Sequence, residues 1–166
     1  MKTDKIYLVG FMGAGKTKVS RALGRRLDWR VEDIDELIEA REHRAIADIF
    51  ALEGEPYFRA VEHQVLWSLL PGRNVVVATG GGTFVDPDNR AAIARDGVSI
   101  WLDAPLDTIV ARLPADGRRP LAADRFELEQ LYAHRRAAYQ QANLRLDASR
   151  APVEELVERI LDWLGF

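Results

Sequence analysis

Apolar residues in this chain fall into two kinds of run. Three are short and nearly continuous: Ile6 to Val9, stopped by Gly10; Val75 to Ala78, running into Thr79-Gly80-Gly81-Gly82; and Val98 to Leu102, interrupted only by Ser99. Such runs predict buried β-strands. Trp29 to Glu32 and Leu144 to Leu146 are weaker strand candidates. Between them the apolar positions return at helical spacing. Lys16 to Leu27 carries Val19, Leu23 and Leu27 on one face, and helical patterns also cover Ile34 to Glu42, Glu55 to Leu70, Asp88 to Arg95 and Pro105 to Leu113. Asp124 to Ala142 predicts a long helix. Pro152 opens the last one, where its missing N–H costs little, with Val153, Leu156, Val157, Ile160, Leu161 and Leu164 as the apolar stripe. Residues 114–123, with two prolines, a glycine and several charges, interrupt the pattern and predict an exposed loop.

Strands alternating with helices imply a parallel sheet covered on both faces. In such a sheet, ligands bind beyond the carboxyl ends of the strands. The chain has 166 residues, 48% of them apolar, which suits one compact domain over residues 1–166. The net charge of −3 argues against bulk nucleic-acid binding, which usually needs a basic excess. There are no cysteines, which excludes a disulfide framework and a Cys-based zinc site. No apolar run approaches the roughly 20 residues needed to cross a bilayer. Residues 1–5 lead into a short strand without the apolar stretch of a secretory signal. These features lead to the expectation of a cytoplasmic protein without membrane contact.

Gly10-Phe11-Met12-Gly13-Ala14-Gly15-Lys16-Thr17 matches G-x-x-x-x-G-K-[ST] in full and sits between a predicted strand and a predicted helix. Glycines let successive backbone N–H groups face an anion, and the following helix adds the positive end of its dipole. In this arrangement Lys16 reaches the outer phosphates and the Thr17 hydroxyl binds Mg²⁺. The loop therefore points to a nucleoside triphosphate without identifying what is phosphorylated.

Other residues bear on the acceptor. Asp33 and Asp35 follow the second strand. They suit a metal shell and an acceptor hydroxyl, or equally an N-cap and an acidic first helical turn. Three glycines, Gly80, Gly81 and Gly82, let a ligand approach the backbone closely or form a flexible turn. Arg59 has Glu55 and Glu62 at helical spacing, and by itself reads as a surface ion pair. Arg135 shares a helical face with Leu128, Leu131, Tyr132, Tyr139 and Ala142. A guanidinium facing inward needs an anionic partner, either a protein carboxylate or a carboxylate substrate. Arg136 turns toward the flank and is expected in solvent. Arg118 and Arg119 lie in the 114–123 loop, where an arginine suits a cation over the γ-phosphate on a mobile lid, or, more commonly, an exposed basic loop. Arg112 suits stacking on a base or, equally, the dipole at the C-terminus of its helix, and Arg150 the adenine edge.

Together these residues resemble the shikimate kinase family. The resemblance rests on Gly10 to Thr17, Asp33-Ile34-Asp35, Ala47-Asp48-Ile49-Phe50 leading to Gly54-Glu55 and Phe58-Arg59, Thr79 to Gly82, Arg119-Pro120-Leu121, and Arg135 four residues before Tyr139. It implies a P-loop NTPase of nucleoside-monophosphate-kinase type, an α/β fold with a five-stranded parallel sheet and helices on both faces. It also implies transfer of the γ-phosphoryl of ATP to the 3-hydroxyl of shikimate, with Mg²⁺, by a monomer. Lys16, Asp35 and Arg119 would be catalytic. Gly13, Ala14, Gly15, Lys16, Thr17, Lys18, Arg112, Arg119 and Arg150 would bind ATP, and Thr17 and Asp33 would serve the metal. Asp35, Arg59, Gly80, Gly81, Gly82 and Arg135 would bind shikimate. Two rival readings are a small P-loop kinase acting on gluconate and a nucleotide-dependent regulatory module with no small-molecule acceptor.

Overall fold

The structure is a computed structural model, and it describes residues 2–113 and 125–166. Five parallel strands form one sheet: β1 (Lys5–Val9), β2 (Arg30–Asp33), β3 (Val75–Ala78), β4 (Val98–Asp103) and β5 (Leu144–Asp147), in the spatial order β2-β3-β1-β4-β5. The three short apolar runs of the sequence are the three inner strands, buried along their whole length. The weaker candidates are the edges, where one side meets solvent. Observed β2 lies one residue later than predicted and continues to Asp33.

Side chains alternate across each strand, so β1 feeds two cores. Ile6 and Leu8 pack with Val19 and Leu23 of helix α1 (Lys16–Leu27) and with Leu156 and Ile160 of helix α8 (Val153–Leu164). Tyr7 and Val9 face the opposite core, with Phe58 and Leu66 of helix α4 (Glu55–Leu69) and Leu128 and Tyr139 of helix α7 (Arg125–Tyr139). Helices α2 (Ile34–Glu42), α3 (Ile46–Glu53), α5 (Pro87–Asp96) and α6 (Leu106–Arg112) complete the layers.

Two elements depart further from the sequence expectation. Helix α3 had no prediction of its own, because eight residues give too few turns for a helical period to emerge. Its start is held from outside, where the Ile46 N–H donates to Glu39 Oε2 at 3.0 Å. Helix α7 ends at Tyr139, short of Ala142. Residues 140–142 close as turns, and Asn143 then binds Ser99 on β4: its N–H donates to the Ser99 carbonyl (3.0 Å), and its Oδ1 accepts the Ser99 N–H (2.8 Å). Those bonds commit the chain to β5. The loop predicted at 114–123 lies outside the described residues.

Candidate active site

The phosphate-loop segment leaves β1 and enters α1. Gly13 and Gly15 have φ of 76° and 100°, left-handed values that a side chain would resist. The Val19 N–H donates to the Gly15 carbonyl at 3.1 Å, starting α1 directly behind the loop. Lys16 Nζ donates to the carbonyls of Gly10 (2.6 Å) and Phe11 (3.0 Å), so its ammonium lies against the loop. Thr17 Oγ1 donates to Asp33 Oδ2 at 2.8 Å, while Asp33 Oδ1 accepts the Glu36 N–H at 3.1 Å. One carboxylate oxygen of Asp33 therefore caps α2, as the N-cap reading expected, and leaves the other to meet the phosphate-loop threonine.

Two cavities meet at this point. One, of about 540 Å³, is lined by residues 13–18 with Arg112, Ala148, Ala151, Val153 and Leu156. The other, of about 400 Å³, is lined by Arg59, Glu62, Gly82 and Arg135 and by an apolar wall of Ile46, Ala47, Phe50 and Phe58. Met12, Thr17, Asp33, Asp35 and Gly81 line both. The phosphate loop and the inward arginine thus open on one continuous cleft at the carboxyl ends of β1, β2 and β3.

The glycine run explains how the second cavity is furnished. A Cβ on Gly80 would stand 2.8 Å from Asp35 Oδ1, and one on Gly81 would stand 2.8 Å from Arg135 Nη1. One on Gly82 would stand 2.6 Å from Arg59 Nη2 and 2.7 Å from its Cζ. Each missing side chain makes room for one acceptor-side group. Neither Gly80, Gly81 nor Gly82 has positive φ, so close approach is what these positions require. The turn is anchored rather than loose. The Gly80 N–H donates to Thr83 Oγ1 (2.9 Å), and the Tyr139 hydroxyl donates to the Gly81 carbonyl.

Arg135 is 5% exposed, and among the described residues no carboxylate lies at ion-pair distance from it. Its Cζ stands 5.6 Å from the centre of the Phe11 ring. Burial pulls its pKa down; the neighbouring Tyr139 oxygen opposes that, and the like charge of Arg59 adds to it. Burial likewise pushes the Tyr139 hydroxyl up, so it stays a donor. Arg59 is paired as the sequence suggested: Nη1 donates to Glu62 at 3.0 and 3.2 Å, and Nε and Nη2 donate to Glu55 at 3.4 Å. The pair faces the cleft rather than bulk solvent. Glu62 is 1% exposed and also accepts from Thr83 Oγ1 at 3.0 Å. Sequence spacing identified Glu62 as an ion-pair partner and missed that it is a buried cleft residue.

The remaining nucleotide-side residues divide. Arg112 donates from Nη1 to the Gly13 carbonyl (3.2 Å) and from Nη2 to the carbonyls of Ala148 (3.2 Å) and Ser149 (3.4 Å), spanning the cavity rim. Lys18 is exposed at its mouth. Arg150 is not brought to this cavity. It is exposed in a neighbouring depression with Asp147, Glu155 and Arg159. The turn bonds from Ser149 N and Oγ to Asp147 Oδ1, at 2.9 and 2.5 Å, accompany this, and Ala148 and Ala151 form the cavity wall instead. Arg136 corrects another expectation. It is half-buried and donates to both oxygens of Asp103, at 2.7 and 3.2 Å. Arg118 and Arg119 lie outside the described residues.

The donors suit Mg²⁺. Thr17 Oγ1 and an Asp33 carboxylate oxygen are hard oxygen ligands at the junction of the cavities. Among the described residues no group of three or more His, Cys, Asp or Glu side chains could hold a metal. The Thr17 and Asp33 oxygens by themselves fit an ion that takes one or two protein ligands and completes its shell with water and substrate phosphates.

A family model described as shikimate kinase matches residues 12–165. The shikimate kinase of Persephonella marina is 41% identical over 157 residues, covering 94% of this chain and 96% of that protein. That of Cereibacter sphaeroides is 43% identical over 163 residues, covering 96% and 82%. The solved structure of shikimate kinase from Acinetobacter baumannii in complex with shikimate aligns with a TM-score of 0.94 and 33% identity, over 99% of this chain and 94% of that one. Deoxyadenosine kinase from M. mycoides, with a TM-score of 0.67 and 16% identity over 98% of this chain and 100% of that one, is similar in fold alone.

Proposed function

The chain belongs to the shikimate kinase family, and from that premise we propose that its cleft transfers the γ-phosphoryl of ATP to the 3-hydroxyl of shikimate, with the following division of labour. The protein is an ATP-dependent kinase of shikimate. The observation that carries the assignment of residues is Arg135, a buried guanidinium without a carboxylate partner among the described residues, in a cavity continuous with the phosphate loop. A buried charge left in that condition is costly unless a ligand completes it. A carboxylate held by Arg135 and Arg59 would do so, because the planar fork of a guanidinium matches a carboxylate.

With the acid held at that end, the substrate ring lies along Ile46, Phe50 and Phe58, and its hydroxyls point toward Asp35, which lines both cavities. Asp35 orients the attacking hydroxyl and is the group placed to take its proton. The phosphates of ATP rest on the N–H groups of residues 13–17 and at the N-terminus of α1. Lys16 turns from the loop carbonyls to the β- and γ-phosphate oxygens, where its charge favours the transition state. Arg112 offers a guanidinium plane to the base. Mg²⁺, held by Thr17 with support from Asp33, neutralises charge on the phosphates when bound. Arg119, in the segment expected as a lid, takes the role of a cation over the transferring group. The reading takes the enzyme to be a monomer formed as one kinase domain. Its expected location is the cytoplasm, where ATP and Mg²⁺ are available together.

The test is ADP release from ATP and Mg²⁺ with shikimate, with gluconate, or with no acceptor. Shikimate-dependent turnover that disappears in Lys16→Ala is the expected result. Turnover with gluconate alone, or turnover indifferent to any acceptor, would overturn the proposal.

A further inference from the structure

We propose that Asp103 is a positioning residue for acceptor binding: by holding Arg136 it fixes the rotation of α7 and so places Arg135 in the cleft. This rests on the assignment of Arg135 to the acceptor. Asp103 ends β4 and is 8% exposed. It accepts from Arg136 Nη1 at 2.7 Å and Nη2 at 3.2 Å, a forked contact, and from Arg145 Nε of β5 at 2.8 Å. Trp101 lies two residues earlier, on the same face of β4. Its ring meets the same two guanidiniums, with Cζ of Arg136 at 4.9 Å and Cζ of Arg145 at 5.2 Å. One helical turn before Arg136, Tyr132 donates its hydroxyl hydrogen to the Ala104 carbonyl at 2.9 Å, and Arg136 Nη1 donates to that hydroxyl oxygen at 3.1 Å. The carboxyl end of β4 therefore grips α7 at residues 132 and 136.

Arg135 is one of the three residues between these grips and lies about 100° around the helix from Arg136. The hydrogen bonds inside a helix do not set its rotation against a sheet; only its side-chain contacts do. Leu128 and Ala138 supply apolar contacts, which hold distance better than angle because they are non-directional, and the Tyr139 hydroxyl bond to the Gly81 carbonyl ties only the end of α7 beyond Arg135. The forked ion pair is directional. A roll of about 10° moves a guanidinium lying roughly 7 Å from the axis by about 1 Å. That is enough to spoil a two-point carboxylate contact. Asp103 touches neither substrate cavity, so its influence on the acceptor runs through α7.

The test compares Asp103→Asn, Arg136→Gln and the double variant with wild type, reading both Michaelis constants and the amide hydrogen exchange of residues 128–139. Each single variant is expected to raise the KM for shikimate about three- to tenfold, leave the KM for ATP within about twofold, and speed exchange in α7. For the shikimate KM the double variant should be no worse than the singles, because all break the same Asp103–Arg136 contact. Asp103→Glu should recover part of the loss. Arg145→Gln, on the edge strand, should leave the shikimate KM unchanged, which separates the grip on α7 from general damage to the sheet edge. An unchanged shikimate KM, an equal rise in both constants, additive losses, or wild-type exchange in α7 would each overturn the proposal. Exchange is read without turnover, so it decides the role of Asp103 even if the wild-type enzyme ignores shikimate, a result that would instead defeat the functional assignment.

Discussion

Replacing Arg135 with Met should make the protein more stable and a much poorer enzyme. The guanidinium is 5% exposed and, among the described residues, has no carboxylate at ion-pair distance. Removing one charge from water costs several kcal/mol in a protein interior. Part of this is returned by the Tyr139 oxygen, by the more distant Glu62 and Glu55, and by the Phe11 ring, the last worth about 1–2 kcal/mol. The like charge of Arg59 acts against it. Met has a similar reach and no charge and adapts its shape to irregular space. The net gain on substitution is about 1–2 kcal/mol. For a chain of this size that raises the thermal midpoint by about 2–8 °C. Binding moves the other way. Loss of two hydrogen bonds to a charged carboxylate, at about 1.5–3 kcal/mol each, weakens shikimate about a hundredfold or more. The KM for ATP should stay within about twofold, since Arg135 does not line the nucleotide cavity. Thermal unfolding with and without shikimate, alongside ADP-release kinetics, reads both effects. Saturating shikimate should raise the wild-type midpoint and leave that of the variant unmoved. A variant with a lower midpoint and an unaltered shikimate KM would refute both the unpaired burial and the carboxylate role.

Gly82→Ala places a Cβ 2.6 Å from Arg59 Nη2 without backbone strain, because φ is −101°. Arg59 must swing away from Glu62, so steady-state kinetics should show a shikimate KM raised about tenfold with little change for ATP. Asp33→Ala removes both the α2 cap and the partner of Thr17. It should lower the midpoint by about 2–4 °C and raise the Mg²⁺ concentration needed for half-maximal rate. Asp33→Ser should restore the midpoint alone, since a serine caps but carries no charge, and recovery of both would show that the cap is the whole role of Asp33.

Much of this protein is decided by short-range pattern. Short apolar runs made β1, β3 and β4 because a strand buried on both faces has no polar side to show. Helical spacing in 16–27 and 153–164 made α1 and α8 because the apolar stripe repeats over several turns. The phosphate loop was legible for a similar reason: its glycines, Lys16 and Thr17 act within one turn of chain, so their order carries their geometry. The acceptor site could not be read that way. Arg59 looked like a surface ion pair until α4 was seen to turn that pair into the cleft. Gly80, Gly81 and Gly82 could be read as room for a ligand or as a flexible turn, and only packing showed that each clears space for a side chain from a different helix. Arg136 looked solvated because its partner Asp103 is 33 residues away in sequence. Local sequence encodes dihedral angles and which face is apolar. It does not encode which remote surface that face will meet, and the acceptor end of this cleft is built almost wholly from such meetings.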